Sequence, residues 1–304
     1  MEYSFQRYLS AKRTVDDRSL NRLVWQQLKD QLVHWQSFQP IHVLEIGAGT
    51  GTMLHRLVEW RGLNQGTYLG IDSDHISVEA AREAQPAWAA AHGFSCQHVT
   101  GGHVLANTGT QLRVAFSPLD IQKFLQSPTA TNFDLVIANA FMDLVDPAIL
   151  LPEIGRLMKP GGLGWFTINF DGLTLLEPLI DRALDEKIIQ LYHQSMDEHR
   201  VDGQPTGGSQ TGRHLYHQLT VAGWEVLAAG ASDWVVHPVQ SKYTQDEAYF
   251  LHYVLHFFEQ TLSSHPEIDP ASFQHWAAAR RSQIADGELV FVAHQLDFLA
   301  RWPQ

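Results

Sequence analysis

Residues 43–51 read Val-Leu-Glu-Ile-Gly-Ala-Gly-Thr-Gly, a short apolar run followed by glycine at every second position. A chain that turns sharply from strand into helix needs residues that tolerate positive φ. Glycine does so, and it also lets a ligand approach the backbone closely. Asp72 closes the next apolar run, where an acidic side chain suits the two hydroxyls of a ribose. A dinucleotide fingerprint, G-x-G-x-x-G, would seat pyrophosphate on a helix N-terminus. Here the third glycine falls one position early, at Gly51, and position 52 is Thr. Glu45, two residues before the first glycine, would repel pyrophosphate and favour a cationic group such as an ammonium.

The elements that must hold these residues alternate. Strand patterns at 42–46, 67–71, 112–116, 133–138 and 163–170 are separated by helical patterns at 53–58, 76–91 (interrupted by Pro86) and 150–158. Such alternation predicts parallel strands joined by right-handed helical crossovers, in one doubly wound α/β domain. Residues 14–35 have the spacing of a single amphipathic helix, opened by a capping box at Thr14 and Asp17. Residues 92–111, rich in Gly, His and Thr, read as an inserted loop or a small edge hairpin. Further helices are expected at 173–200, 214–222, 244–262 and 271–284. A loop is expected at 201–212, and strands at 224–229 and 288–294.

Five segments together resemble one family. Glu45-Ile46-Gly47-Ala48-Gly49-Thr50-Gly51 resembles the first motif of the class I S-adenosylmethionine-dependent methyltransferases. Gly70-Ile71-Asp72-Ser73 looks like that family's second strand with its ribose-binding acid. Ser117-Pro118-Leu119-Asp120-Ile121 looks like the turn that holds adenine. Residues 133–140 look like its fourth strand and tip, and 157–162 like the helix end before strand five. The resemblance covers roughly residues 41–170. It implies a mostly parallel, seven-stranded Rossmann-like sheet with helical insertions, and S-adenosyl-L-methionine as cofactor, with S-adenosyl-L-homocysteine as product.

It also implies roles. Gly47, Ala48, Gly49 and Gly51 line the cofactor, and Glu45 faces its aminoacyl end. Asp72 takes the ribose hydroxyls, with Ser73 beside them. Asp120 accepts from the adenine amino group and Ile121 donates its backbone N–H. Asn139 and Ala140 lie under the sulfonium. In similar enzymes the segment before strand one folds over the cofactor. Tyr8 would then line the acceptor pocket and Arg13 would meet the methionine carboxylate. Asp72 and Asp120 also have a plainer reading as helix caps.

Composition narrows the acceptor. The chain has 304 residues and a net charge of −12, and no basic run longer than Lys12-Arg13 or Arg280-Arg281. Nucleic-acid partners usually demand a basic face. The tip Asn139-Ala140-Phe141-Met142 also departs from the N-P-P-Y found where such enzymes methylate base amino groups. A small-molecule acceptor is therefore expected, with neither nucleic acid nor membrane as partner. No apolar stretch approaches the roughly 20 residues a membrane helix needs, and residues 1–18 lack the apolar core of a secretory signal. Cys96 is the only cysteine, so no intrachain disulfide is possible, which agrees with the cytoplasmic location that is expected.

The expected organisation is an N-terminal helical cap or lid at 1–40, then a class I methyltransferase domain at 41–304. Acceptor-binding insertions are placed at about 171–213 and 238–285, because variable loops carry specificity. Asn169 and Arg213 join Tyr8 and Met142 as candidate acceptor contacts. Asn139, Asp171 and His193 are the candidate catalytic residues. No metal is expected: His252 and His256 share a helix face, but no partner set completes a site. Two other readings of the fold stay open, a nicotinamide-dependent oxidoreductase and a non-catalytic S-adenosylmethionine-binding protein. The sequence leaves the acceptor atom open among oxygen, nitrogen, carbon and sulfur.

Overall fold

The computed structural model describes residues 2–127, 132–201 and 203–303. The chain opens with two helices, α1 (Phe5–Ser19) and α2 (Arg22–Gln36), rather than one. Both halves carry apolar faces, so spacing alone runs them together. Asn21 separates them by capping α2 through the N–H groups of Leu23 and Val24. Thr14 lies inside α1, where its hydroxyl bonds Glu247 instead of opening a helix.

The alternating half follows as β1 (Ile41–Ile46), α3 (Thr52–Glu59), β2 (Gln65–Asp72) and α4 (His75–Ala91). Pro86 does not break α4, which runs through it. Residues 92–111 do form an edge hairpin, β3 (Ser95–Val99) and β4 (Gly102–Asn107), pairing antiparallel with β5 (Thr110–Pro118). Then come α5 (Ile121–Leu125), β6 (Phe133–Asn139), α6 (Pro147–Leu157) and β7 (Met158–Glu177). The long β7 absorbs residues 173–177, which the sequence placed in a helix. The helix α7 (Arg182–Glu198) starts only after Pro178.

The expected loop at 201–212 contains a minimal ladder, β8 (Arg200–Val201) with β9 (Gln204–Pro205). The chain ends with α8 (Thr211–Val221), β10 (Glu225–Ala231), β11 (Trp234–Val236), α9 (Glu247–Leu262), α10 (Pro270–Ala285) and β12 (Val290–Arg301).

The main sheet has ten strands in the order β10-β12-β7-β6-β1-β2-β5-β4-β3, with β11 on β12. Its centre, β7-β6-β1-β2-β5, is parallel. Helices cover both faces of this doubly wound sheet. Leu28 and Leu32 of α2, Met53 and Leu57 of α3 and Val78 of α4 pack on one side. Leu150, Leu151 and Ile154 of α6 and Leu215 of α8 pack on the other. A third apolar cluster joins α1, α7, α9 and α10 to β11 and β12. Strand order reverses at β1, between β6 and β2. That is where an open α/β sheet leaves a crevice beyond its carboxyl ends.

Candidate active site

The turn after β1 is shaped by contacts that exclude larger residues. A Cβ on Gly47 would lie 2.6 Å from the Phe141 ring, and one on Gly51 would lie 2.7 Å from the Phe116 ring. Both glycines have positive φ. The Gly49 N–H donates to Asp72 Oδ2 (2.8 Å), and the Asp74 N–H donates to Asp72 Oδ1 (2.8 Å). Asp72 thus braces the glycine loop and does not cap the following helix. Asp74 caps α4. Asp120 does cap α5, through the Gln122 N–H, while also facing the crevice.

The crevice is a cleft of about 310 Å³. It gathers Glu45, Gly47, Ala48, Gly49, Asp72, Ser73, Asp120, Ile121, Asn139 and Ala140. Burial pushes the Asp72 carboxyl above its ordinary value, against the pull of its two backbone donors. Burial likewise drives Glu45 well up, with Arg56 opposing, and the Tyr68 hydroxyl donates to Glu45. Asn139 accepts from the Thr167 hydroxyl at 2.8 Å. Ala140, with φ 51°, follows at the tip of β6.

A second, larger chamber of about 450 Å³ adjoins the first. Its walls are mostly aromatic and aliphatic, from Tyr8, Phe170, Tyr192, Trp234, Phe257, Phe258 and Phe291 among others. Phe5, Leu9, Lys12, Ala140 and Leu144 belong to the walls of both cavities. Helix α1 is therefore a common wall, held in place by Gln6 on Asp74 (3.2 Å) and by aromatic stacking of Tyr8 on Tyr253 (4.6 Å).

Several residues singled out in the sequence lie elsewhere. Arg13 points away from the cleft to Glu59 (2.7 Å), and its neighbour Lys12 takes the place on the wall. One step along a helix rotates a side chain by roughly 100°, so the neighbouring residue faces the other way. Gly51 sits behind the loop against Phe116 rather than on the lining. Met142 is fully buried among Leu150, Leu151 and Phe166, while Asp143 and Leu144 face the chamber. Asn169 and Asp171 fall on the opposite face of β7 from Ile168 and Phe170, as strand alternation requires. Asn169 is fully buried and donates to the Leu296 carbonyl. Asp171 pairs with Arg213 of α8 at 2.8 Å, so Arg213 too is outside both cavities.

His193 stands one residue back from the chamber. Its Nε2 is 3.0 Å from the Thr174 hydroxyl, and burial lowers its pKa. Of the substrate candidates, Tyr8 alone reaches the chamber. Lys12, Asp143, Tyr192 and Gln295 are chamber residues that no local motif marked. His256 stacks on Tyr3 at 4.1 Å. Among the described residues no group of His, Cys, Asp or Glu is placed to hold a metal ion. No helix among them is long and apolar enough to cross a membrane.

Residues 38–169 match the family model described as a methyltransferase domain. That segment spans β1 to the middle of β7 and contains every motif of the cleft. Over that segment, a little under half of the chain, the protein is similar to a methyltransferase domain. No curated protein matches the chain. Solved structures similar to it include an S-adenosylmethionine-dependent methyltransferase from Thiobacillus denitrificans in complex with S-adenosylhomocysteine. That similarity has 14% identity, 99% of each chain covered and a TM-score of 0.48. The YcgJ protein of Bacillus subtilis is similar at 11% identity, over 92% of this chain and 99% of its own, with a TM-score of 0.45. The [4+2]-cyclase SpnF is similar at 17% identity, over 98% and 94%, with a TM-score of 0.44.

Proposed function

We propose that this methyltransferase moves the methyl group of S-adenosylmethionine onto a small-molecule acceptor held in the aromatic chamber, and that it works in the cytoplasm. The observation that carries the reading is the shared wall: the motif-built cleft and the apolar chamber meet at Phe5, Leu9, Lys12, Ala140 and Leu144. A donor in one and an acceptor in the other would face each other across that wall. The sulfonium supplies a good leaving group, so alignment and exclusion of water can do much of the work.

The chain's own residues suit such a ligand. Asp72 retains lone pairs toward the cleft for the ribose hydroxyls after bonding Gly49 and Asp74. Asp120 and Ile121 stand where the adenine edge would lie, and Asn139 and Ala140 beneath the sulfonium. Glu45 offers a carboxylate for the ammonium. Lys12, in the role the sequence gave to Arg13, offers a cation for the methionine carboxylate. Residues 1–40 act in this reading as the cap over the domain formed by 41–304. The insertions at about 171–213 and 238–285 close the chamber through Thr174, Tyr192 and Met196, and through Val254, Phe257 and Phe258. The free thiol of Cys96 suits a reducing compartment.

Calorimetric titration with S-adenosylhomocysteine and with NADH tests the assignment. Micromolar binding of the thioether and none of NADH is expected. Binding of NADH without the thioether would overturn it in favour of an oxidoreductase. Cofactor binding with no methylated product across a broad acceptor panel would favour a non-catalytic binding protein.

A further inference from the structure

Two residues that line the aromatic chamber each carry a buried oxygen acceptor without a hydrogen-bond partner, Asp143 at Oδ1 and Gln295 at Oε1. A buried acceptor left unpaired costs free energy, so the chamber is built for a guest that brings hydrogen-bond donors. Asp143 lies next to Leu144, which is on the wall shared with the cleft, and so stands beside the place where methyl transfer must occur. Burial raises its carboxyl above the ordinary value, opposed first by its own backbone N–H and then by Lys12. That shift moves it toward the range where a carboxylate takes a proton in a transition state.

Charge decides which donor. Lys12 already places an ammonium on the shared wall, paired with Asp16 at 3.1 Å, and the donor's sulfonium would add a second cation there. A cationic amine as guest would be the third cation beside the two carboxylates Asp16 and Asp143. A neutral hydroxyl on a flat apolar frame meets the aromatic walls and satisfies Asp143 without that repulsion.

Resting on the assignment of the cleft to S-adenosylmethionine, we propose that the acceptor is an aromatic hydroxyl compound and that Asp143 is the catalytic base which removes its proton. The hydroxyl proton passes to Asp143 Oδ1 and the oxygen lone pair forms the new bond to the methyl carbon. The methyl–sulfur bonding pair stays on sulfur, leaving neutral S-adenosylhomocysteine, a protonated Asp143 and an aryl methyl ether.

Three two-ring probes test this in the full chain with S-adenosylhomocysteine present: 2-naphthol, 2-methoxynaphthalene and 2-(aminomethyl)naphthalene. By calorimetry, 2-naphthol should bind at least about tenfold more tightly than either of the others, one charge-assisted hydrogen bond being about that large. Asp143→Asn should erase the preference while leaving S-adenosylhomocysteine affinity within about twofold, which also certifies that the variant is folded. With S-adenosylmethionine, 2-methoxynaphthalene should appear by mass spectrometry, about 100-fold more slowly in Asp143→Asn. Equal binding of naphthol and its ether, no binding of naphthol, or preference for the amine overturns the proposal while S-adenosylhomocysteine still binds. If S-adenosylhomocysteine itself fails to bind the wild-type chain, the assignment of the cleft is what has failed.

Discussion

Replacing Asp72 separates a ligand-binding carboxylate from a purely structural one. In the free protein it accepts from the Gly49 and Asp74 N–H groups, both at 2.8 Å. Those two donors face the open cleft, where water can replace the carboxylate, so Asp72→Ala should cost roughly 1 kcal/mol of stability per bond at most. Ligand binding should suffer more. Two ribose hydroxyls donating to a carboxylate are each worth about 1.5 kcal/mol or more, so their joint loss should raise the dissociation constant of S-adenosylhomocysteine by roughly 100-fold. Asp72→Asn keeps one acceptor oxygen and should fall between. Binding should also weaken with acid, because protonating Asp72 removes an acceptor. Burial raises this carboxyl, so the weakening should begin above the pH at which an exposed aspartate titrates. Calorimetric titration of the three proteins, with thermal melts as the folding control, measures all of this. If folded Asp72→Ala binds within threefold of wild type, the ribose is not held here and the placement of the cofactor is wrong.

Other outcomes follow from the same geometry. Lys12→Met should weaken S-adenosylhomocysteine binding about tenfold through loss of a charge-assisted contact. Arg13→Met should leave that binding unchanged and cost under about 1 kcal/mol, its pair with Glu59 being partly solvated. Equal effects in the two titrations would contradict the placement of α1. Gly155→Ala puts a methyl 2.3 Å from the Trp302 ring, an overpacking that should cost about 1–3 kcal/mol in a denaturant melt. Asp297 bonds the backbone of Asn21 and Ile168, and burial pushes it up to about 6 from 3.8. Its folded form holds the proton more tightly than the unfolded chain does. Its stabilising share is therefore full below about pH 4 and is lost as pH rises through 6, by about 3 kcal/mol. The stability difference between wild type and Asp297→Asn should shrink by that amount from pH 4 to 7. A difference that grows instead would show that its donors outweigh desolvation.

The cleft beyond β1 was legible as a place because its parts are local in sequence. Gly47, Gly49, Asp72, Asp120 and Asn139 each end a strand or open a turn, and a parallel sheet brings strand ends together without further instruction. Of the chamber beyond the shared wall, only Tyr8 was marked in the sequence, through the resemblance. Tyr8, Asp143, Tyr192, Phe257 and Gln295 come from α1, the turn after β6, α7, α9 and β12, and no short-range rule connects them. Arg13 failed by one helical step, and Asn169 and Asp171 by strand parity. Both errors come from choosing a neighbourhood correctly without knowing which face it presents. The stretch 173–177 was read as helix because its apolar run continues β7 where no strand partner could be foreseen. That partner, β12, lies more than a hundred residues later.

Helix α1 has one more consequence. Since Phe5, Leu9 and Lys12 belong to both walls, any ligand that nudges this helix alters the affinity of the neighbouring compartment. Thermodynamic reciprocity then binds the two guests: whatever factor S-adenosylhomocysteine applies to the affinity of 2-naphthol, 2-naphthol must apply to that of S-adenosylhomocysteine. Fixing α1 to its neighbours by a crosslink would bring that factor toward unity, and so would show how much of the conversation between donor and acceptor passes through fifteen residues at the start of the chain.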